Sequence, residues 1–341
     1  MGTPRNANVR YETEVVMRST SVEFEFHDAA FASVIGDHAR LVKVADADAH
    51  EGPVYMPSED ALYFTTVPRP SSIATHGSPE VTVKRLALDG TRFPLTGERE
   101  MIVRSRANGA NGMALGHDGR LVVCEQGTTT TTARISALNT GTGHLETIVS
   151  GWGALPFNSP NDVVVNGDGT IWFTDPSYGH LQGFKPAPVV GDRVYRYNPR
   201  TQSLTWVIDD FDKPNGLAFS PCGSVLYVGD SGANHEPGTF EPARPHHIRA
   251  FDVTPGGALA RDRLFAVIDP GYPDGIKVDA DGRVYASAFD GVQVFSPEGH
   301  RLGTIHLPGA VNFTFGGTDR NVLFITTDTA VWAAVLNVQG A

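Results

Sequence analysis

The sequence predicts an all-β fold, and more narrowly a six-bladed β-propeller in which an N-terminal strand completes the last blade. Three observations support this prediction. One strand-turn-strand pattern recurs six times, glycine and proline are abundant at 37 and 23 of 341 residues, and no long stretch keeps an apolar period of 3.6 residues. Many turns and little helical periodicity are typical of an all-β protein.

The recurring pattern consists of a polar first residue, a short alternating strand, a turn with Gly or Asp, and a second β-rich strand. Its six copies begin at Glu51, Asn111, Asn161, Asn215, Asp274 and Asn312. These starts lie 60, 50, 54, 59 and 38 residues apart. Such spacings, with loop insertions, are typical of propeller blades.

Each copy continues into a third strand, such as VTVKRLAL or RVYRYNP, and the first five continue into a fourth, such as EMIVRS. The sixth copy has no fourth strand of its own. We expect residues 41–47, LVKVADA, to supply it and to close the ring, which protects the sheet edges. The predicted organisation is an N-terminal extension over residues 1–40, with room for a short helix, and one propeller domain over 41–341.

Composition narrows the classes of function. The chain is 40% hydrophobic and 19% charged, enough apolar material for a buried core, and its net charge of −11 is opposite to that of a general nucleic-acid binder. Cys124 and Cys222 are the only cysteines, which excludes a disulfide scaffold and favours a reducing cytoplasm. No run approaches the roughly 18 apolar residues of a membrane span, so we expect no membrane association.

The six repeat starts carry the candidate chemistry. The inner strands of a propeller line a central channel, so equivalent residues at their starts form a ring at one mouth of it. Here the ring comprises two carboxylates and four carboxamides, all of which are hard oxygen donors. Calcium prefers such oxygens, whereas zinc prefers nitrogen and sulfur. Asn, Asp and Gly also begin many strands after turns, but six coincident oxygen donors favour a cation site.

The ends of the second strands return to the same face as the ring. Loops at that face of a rigid scaffold commonly carry binding residues. The strand ends and the loops that follow them offer a second set of candidates for the pocket wall, which are Glu125, Asp175, Tyr178, His180, Asp230, Ser231 and Asp290.

Five motifs in order, EGPVY, SPNDVVV, TDPSYG, KPNGLAFSP and PDGIKVDADGRVY, make residues 45–336 resemble the senescence-marker-protein/gluconolactonase (regucalcin-like) family of calcium-dependent lactonases. The long form FTDPSYGHLQGFKPAP is similar to its lactonohydrolase branch. Where animal members carry an Arg two residues before the Asn of blade three, this chain has Ser159.

This resemblance implies calcium held by Glu51, Asn161, Asn215 and Asp274, with Asp274 and Asn161 in catalytic positions. It also implies that Asn111 and Glu125 lie near a small lactone substrate. The metal would polarise the lactone carbonyl while a carboxylate activates water. A carboxylate nucleophile is the alternative mechanism.

Several alternatives stay open at this stage. Magnesium, manganese or zinc could replace calcium. A phosphotriesterase could use the same ring of oxygen donors, and a propeller could also serve as a binding platform without catalysis. The sequence does not distinguish among lactones or among subunit numbers.

Overall fold

The computed structural model describes residues 23–69, 79–235 and 238–341, and nearly all of its regular structure is β-strand. Its first elements are strand β1 (Phe24–Phe26), helix α1 (Phe31–Ile35) and strand β2 (Arg40–Asp46). All three precede the first of the six sequence repeats. Both short strands are added to sheets formed by residues much later in the chain.

The next five sheets contain four consecutive antiparallel strands each, and together they form blades one to five. Blade one contains β3 (Ala49–Met56), β4 (Ala61–Thr66), β5 (Val83–Ala87) and β6 (Glu100–Arg104), with a 3-10 turn at Pro57–Glu59. Blade two contains β7 (Ala110–Leu115), β8 (Leu121–Glu125), β9 (Arg134–Leu138) and β10 (Leu145–Val149), and is followed by the small hairpin β11 (Gly151–Trp152) and β12 (Leu155–Pro156).

The later blades repeat this order. Blade three contains β13 (Val163–Val165), β14 (Ile171–Asp175), helix α2 (Tyr178–Leu181), β15 (Arg193–Asn198) and β16 (Ser203–Ile208). Blade four contains β17 (Pro214–Phe219), β18 (Val225–Asp230), β19 (His247–Val253) and β20 (Leu259–Val267). Blade five contains β21 (Ile276–Val278), β22 (Val284–Ala288), β23 (Gly291–Phe295) and β24 (Arg301–His306).

Blade six is built from both parts of the chain. Strands β25 (Phe313–Gly316), β26 (Val322–Thr326) and β27 (Ala330–Val335) pair in order, and β2 adds the outermost strand. The register aligns Arg40 with Val335 and Asp46 with Ala330. The predicted six-bladed propeller, closed by an N-terminal strand, is therefore confirmed.

Strand β1 is a feature that the sequence pattern did not predict. It pairs with the outer edge of blade five, where Phe24 lies opposite Ile305 and Phe26 opposite Gly303, so that blade has five strands. Helix α1 follows and buries Phe31 and Val34 completely. These contacts cover the edge of a sheet that would otherwise present unpaired backbone groups.

The hydrophobic core lies between neighbouring blades, in layers of apolar side chains. Between blades six and one, for example, Phe64 and Leu62 pack with Phe324 and Val331, and all four are fully buried. Because the apolar side chains pack between the sheets, the residues at the strand starts around the channel can be polar. In the described parts of the chain, no helix has the length and apolar character needed to cross a lipid bilayer.

Candidate active site

The six ring residues converge on one mouth of the channel because consecutive inner strands approach each other closely there. Backbone N–H of Gly112, in blade two, donates to the Asn161 carbonyl at 2.7 Å. A glycine follows the ring residue in four blades, and a Cβ on it would collide with the next blade. On Gly216 it would lie 1.9 Å from the Asp274 carbonyl oxygen, and on Gly52 it would lie 2.5 Å from that of Asn111. The glycines therefore set the width of the ring.

A side-chain hydrogen bond closes the ring between the last blade and the first. Asn312 Nδ2 donates to Glu51 Oε2 at 2.8 Å, and Asn312 Oδ1 accepts from the Phe313 N–H at 2.8 Å. Both ends of this amide are therefore engaged. Asn312 acts in the structure as a brace that orients Glu51.

Two carboxylates meet in this ring. Asp274 lies against the Glu51 carboxylate and the Asn215 side chain. Burial raises the pKa of Asp274 well above its ordinary value, and the negative charges of Glu51 and Asp162 raise it further, while the contact with Asn215 opposes the rise. Removing two neighbouring carboxylates from water is costly unless a proton or a cation compensates them.

Asp162, next to Asn161 in the chain, is a member of the site that sequence reasoning missed. It is buried, its Oδ1 accepts from the Val163 N–H at 2.9 Å, and burial raises its pKa to about 6. Positive charge on Lys277 opposes this rise, whereas negative charge on Glu51 adds to it. The doublet Asn-Asp at the start of blade three was the available signal in the sequence.

Unpartnered amide oxygens identify where a cation fits. Oδ1 of Asn111 and Oδ1 of Asn215 are both buried and accept no hydrogen bond. A buried carbonyl oxygen without a donor is unfavourable unless a ligand or cation contacts it. In the described part of the chain, no group of three or more His, Cys, Asp or Glu is placed to hold a metal. The oxygen donors of this ring are instead two carboxylates and neighbouring amides, which fit a hard cation.

Hydroxyl groups near the ends of the second strands hold the ring backbone in place, and the sequence analysis did not single them out. Thr65 Oγ1 donates to the Glu51 carbonyl at 3.0 Å, and Ser287 Oγ accepts from the Asp274 N–H at 3.0 Å. Thr174 and Thr326 make corresponding bonds to Asp162 and Asn312. The recurring strand ends YFTT, WFTD, YASA and FITT carry this signal.

Three acidic residues expected in the pocket wall lie behind it. Asp175 accepts the backbone N–H groups of Asn158 and Ser159 at 3.0 and 2.8 Å, and Asp230 accepts that of Lys213 at 2.9 Å. Glu125 pairs with Arg134 at 2.9 Å. All three acids are buried. Because their oxygens are engaged within the protein, they brace the loops that lead into the inner strands.

Ser231 and Ser159 are also engaged within the protein. The hydroxyl of Ser231 donates to the Pro273 carbonyl oxygen, beside the loop that carries Asp274. The Ser159 hydroxyl donates to the Pro176 carbonyl at 2.6 Å and accepts from the Gly179 N–H at 2.9 Å. Both serines are fully buried, so each fixes a loop rather than presenting a hydroxyl to solvent.

Tyr178 and His180 diverge although they share helix α2. Tyr178 is buried near the ring, where burial and the negative charge of Asp274 raise the pKa of its hydroxyl well above the ordinary value. His180 is exposed and lines a cavity of about 290 Å³ with residues 128–133 and 185–189. No ring residue lines that cavity. Of the second-strand candidates, the structure therefore brings Tyr178 toward the ring and directs His180 elsewhere.

The geometry defines a class of protein: a six-bladed propeller with a buried carboxylate and carboxamide ring at one mouth of its channel. The chain belongs to the SMP-30/gluconolactonase/LRE-like family, whose model matches residues 49–329. The predicted family and the prediction of an enzyme of the gluconolactonase type are thus confirmed.

Individual relatives support the family match. A lactonohydrolase, oryL of Aspergillus oryzae, is 28% identical over 322 residues, which cover 88% of this chain and 71% of that protein. A gluconolactonase of Zymomonas mobilis is 30% identical over 275 residues, which cover 77% and 71%.

Solved structures share the fold. A gluconolactonase from Xanthomonas campestris superposes with a TM-score of 0.74 at 32% identity, covering 92% of this chain and 95% of that one. A calcium-binding protein, regucalcin, from Agrobacterium tumefaciens gives a TM-score of 0.65 at 16% identity, covering 89% and 95%. At that lower identity, the likeness concerns the fold alone.

Proposed function

We propose that this chain hydrolyses a small lactone to its hydroxy acid at the ring, with a divalent cation held by Glu51, Asn161, Asn215 and Asp274. One observation carries the proposal: the carboxylates of Glu51, which is buried, and Asp274, which is partly buried, lie against each other beside the buried amide side chain of Asn215. The matched lactonohydrolase and gluconolactonase support the choice of reaction.

Calcium fits these donors best. It takes six to eight oxygen ligands from carboxylates, amide carbonyls and water, and zinc favours nitrogen or sulfur. The free Oδ1 atom of Asn215 would supply an amide oxygen to such a shell. Magnesium and manganese accept the same donors and differ mainly in their demand for six-coordinate geometry. A bound divalent cation supplies polarisation of the lactone carbonyl and compensation of negative charge on its oxygen.

Asp274 is the proton acceptor in this scheme. It takes a proton from water as the water oxygen bonds to the carbonyl carbon. The ring C–O bond then breaks, and the leaving alkoxide oxygen recovers the proton, so the product is the free hydroxy acid. Asn161 is a proposed ligand of the cation, and its backbone is held by the hydrogen bond that its carbonyl accepts from the Gly112 N–H.

Asp274 could instead attack the carbonyl carbon itself and form an acyl-enzyme. Single-turnover hydrolysis in water labelled with oxygen-18 separates the two routes. Direct attack by water places the label in the product. Label in the peptide that contains Asp274, with an unlabelled first product, identifies a covalent intermediate that water opens at the aspartyl carbonyl.

Hydrolysis of a lactone panel tests the function, with the protein dialysed against a chelator and then resupplied with calcium, magnesium or manganese. We expect activity to disappear on chelation and to return best with calcium. Asp274→Asn and Glu51→Gln should lower kcat by about a hundredfold or more. Glu298→Gln, the same chemical change in an exposed turn, is the matched control and should retain activity.

Two results would contradict the proposal. Lactone hydrolysis that is indifferent to both chelation and Asp274→Asn would remove the ring from the reaction. Turnover of a phosphotriester such as paraoxon, with none of any lactone, would assign the same ring to phosphoryl chemistry instead.

A further inference from the structure

Three aromatic side chains form a continuous cluster that leads outward from the ring. Tyr272 lies two residues before Asp274, in the loop between blades four and five. Its ring meets that of Phe289 edge-on, with centroids 5.3 Å apart, and Phe289 meets Phe240 at 5.3 Å. We call Tyr272, Phe289 and Phe240 the aromatic wall. It joins the loops of two neighbouring blades at the same mouth of the channel as Asp274.

The inner end of the wall is near the reacting groups. Tyr272 is partly buried, and its side chain lies close to the Asp274 carboxylate and to the buried Tyr178. The wall therefore begins beside the carboxylate that we assign as the base.

The outer end of the wall is open to solvent. Phe289 is 46% exposed and Phe240 is 38% exposed. Single exposed apolar residues are ordinary, but two phenylalanines in mutual contact at the mouth of a proposed active site form an apolar patch continuous with it. The other large exposed apolar side chains of the described chain, including Ile102 and Leu264 on outer strands, are not aromatic.

Local structure holds Phe289 in place. Its backbone N–H donates to the Pro270 carbonyl at 3.1 Å. Gly271 has φ +108, and a Cβ there would lie 2.8 Å from the Phe289 nitrogen and 2.9 Å from its ring. Glycine at this position lets the loop pass directly against the phenylalanine. These backbone contacts thus fix the position of Phe289 in the aromatic wall.

Aromatic faces recognise aromatic and apolar groups through burial and edge-to-face contacts, and phenylalanine side chains supply no hydrogen bond to the hydroxyl groups of a sugar-like substrate. Ser159, two residues before Asn161, is buried, and its hydroxyl is bonded to the Pro176 carbonyl. It offers no charged hydrogen-bond donor to a polyhydroxylated substrate.

We infer that Phe240 and Phe289, with Tyr272, form a subsite for an aromatic substituent of the lactone, so that aryl-substituted lactones are preferred over polyhydroxylated sugar lactones. This inference rests on the proposed lactone hydrolysis and names its substrate class. In it, the lactone carbonyl lies at the ring and the aryl group lies against the exposed faces of the two phenylalanines.

The test compares γ-phenyl-γ-butyrolactone with γ-butyrolactone, which share the reacting ring, and with glucono-δ-lactone. We expect the wild-type kcat/KM to be highest for the phenyl lactone. Phe289→Ala and Phe240→Ala should each lower kcat/KM for it by about tenfold, mostly through KM, and should change γ-butyrolactone hydrolysis by less than about threefold. Phe289→Leu should fall between wild type and Phe289→Ala. Ile102→Ala, which truncates an exposed apolar residue on blade one, should change neither.

Each outcome is decisive. Equal loss on both butyrolactones would make the phenylalanines structural, and a thermal melt would show whether the fold had changed. Unchanged kinetics for both variants, or preference for glucono-δ-lactone, would overturn the aryl subsite while leaving lactone hydrolysis intact. Failure of every lactone would overturn the proposed function and this inference together. Calorimetric binding of the product 4-hydroxy-4-phenylbutanoate, weakened by Phe289→Ala, supplies a readout independent of turnover.

Discussion

Asn312 donates a hydrogen bond of 2.8 Å to Glu51, and this contact joins the last inner strand of the propeller to the first. Asn312→Ala leaves the buried Glu51 oxygen without this donor. We expect the free energy of unfolding to fall by about 1–3 kcal/mol, because this buried oxygen keeps only the weaker bond from the Gly52 N–H at 3.2 Å and bears part of the cost of desolvation. Urea unfolding in excess calcium measures the effect. Asn337→Ala, which alters an exposed asparagine that bonds to Ser33, is the control, and an equal effect of both variants would contradict the prediction.

Removing the metal should reverse which of two proteins, wild type or Glu51→Gln, is the more stable. Without a cation, Glu51 and Asp274 either repel each other or must take up a proton, and Glu51→Gln removes this cost while its amide oxygen still accepts from Asn312. In a chelator, we expect this variant to be about 1 kcal/mol or more stabler than wild type. In calcium, wild type should be the stabler protein because it binds the ion more tightly. Thermal melts in both conditions test the crossing, and parallel curves would count against a cation at this ring.

Asp175 should make stability depend on pH. Burial raises its pKa to about 7 in the folded protein, whereas an unfolded aspartate titrates near pH 3.9. Its contribution is therefore fully present below about pH 4 and is lost as the pH rises through about 7, by up to about 1.4 kcal/mol per pH unit. Urea midpoints between pH 4.5 and 8 should show a steeper decline in wild type than in Asp175→Asn. Identical slopes for the two proteins would refute it.

The two cysteines should react with thiol reagents at very different rates. Cys222 is exposed at a hairpin turn, and hydrogen bonding by Ser224 lowers its pKa to about 7, whereas burial raises the pKa of Cys124 well above its ordinary value. Thiolate is the reactive form. At pH 7.5, Ellman's reagent should therefore label one thiol quickly and the second only on unfolding. Ser224→Ala should slow the fast phase, and an unchanged rate would contradict the assigned cause.

Gly216→Ala should strongly destabilise the protein because the new Cβ would lie 1.9 Å from the Asp274 carbonyl oxygen. Overpacking against backbone commonly costs about 1–3 kcal/mol or more. Gly167→Ala is the matched control, since a Cβ there meets nothing within 4 Å. Urea unfolding of both variants measures the difference. A tolerated Gly216→Ala would mean that the inner strands are farther apart than described.

The sequence predicted the blades and the ring because both follow from periodicity. Equivalent positions such as Glu51 and Asp274 must meet once six copies are arranged around one axis. The repeat period alone does not predict which groups the carboxylate and amide oxygens contact. Asp175 and Asp230 end second strands as expected, yet the adjoining loops bring backbone N–H groups to their carboxylates. The aromatic wall depends on loops outside the repeat, where no pattern recurs.

Strand β1 was missed for a related reason. Its three residues, Phe24–Phe26, are too few to show alternation, and their partner lies at Gly303–Ile305. Asp162 is the second residue of its repeat, so aligning the first residues of the six repeats does not single it out. The acidic side chain directly after Asn161 is the signal in the sequence that could have identified it.

Strand β2 pairs with β27 across most of the polypeptide, and Arg40 lies opposite Val335. During synthesis, the sixth sheet therefore cannot be completed until β27 has left the ribosome. Asn312 likewise reaches Glu51 only after five blades have been made. The ring of six strand starts is consequently assembled only after the first five blades, and no nascent fragment that ends before blade six contains a whole ring.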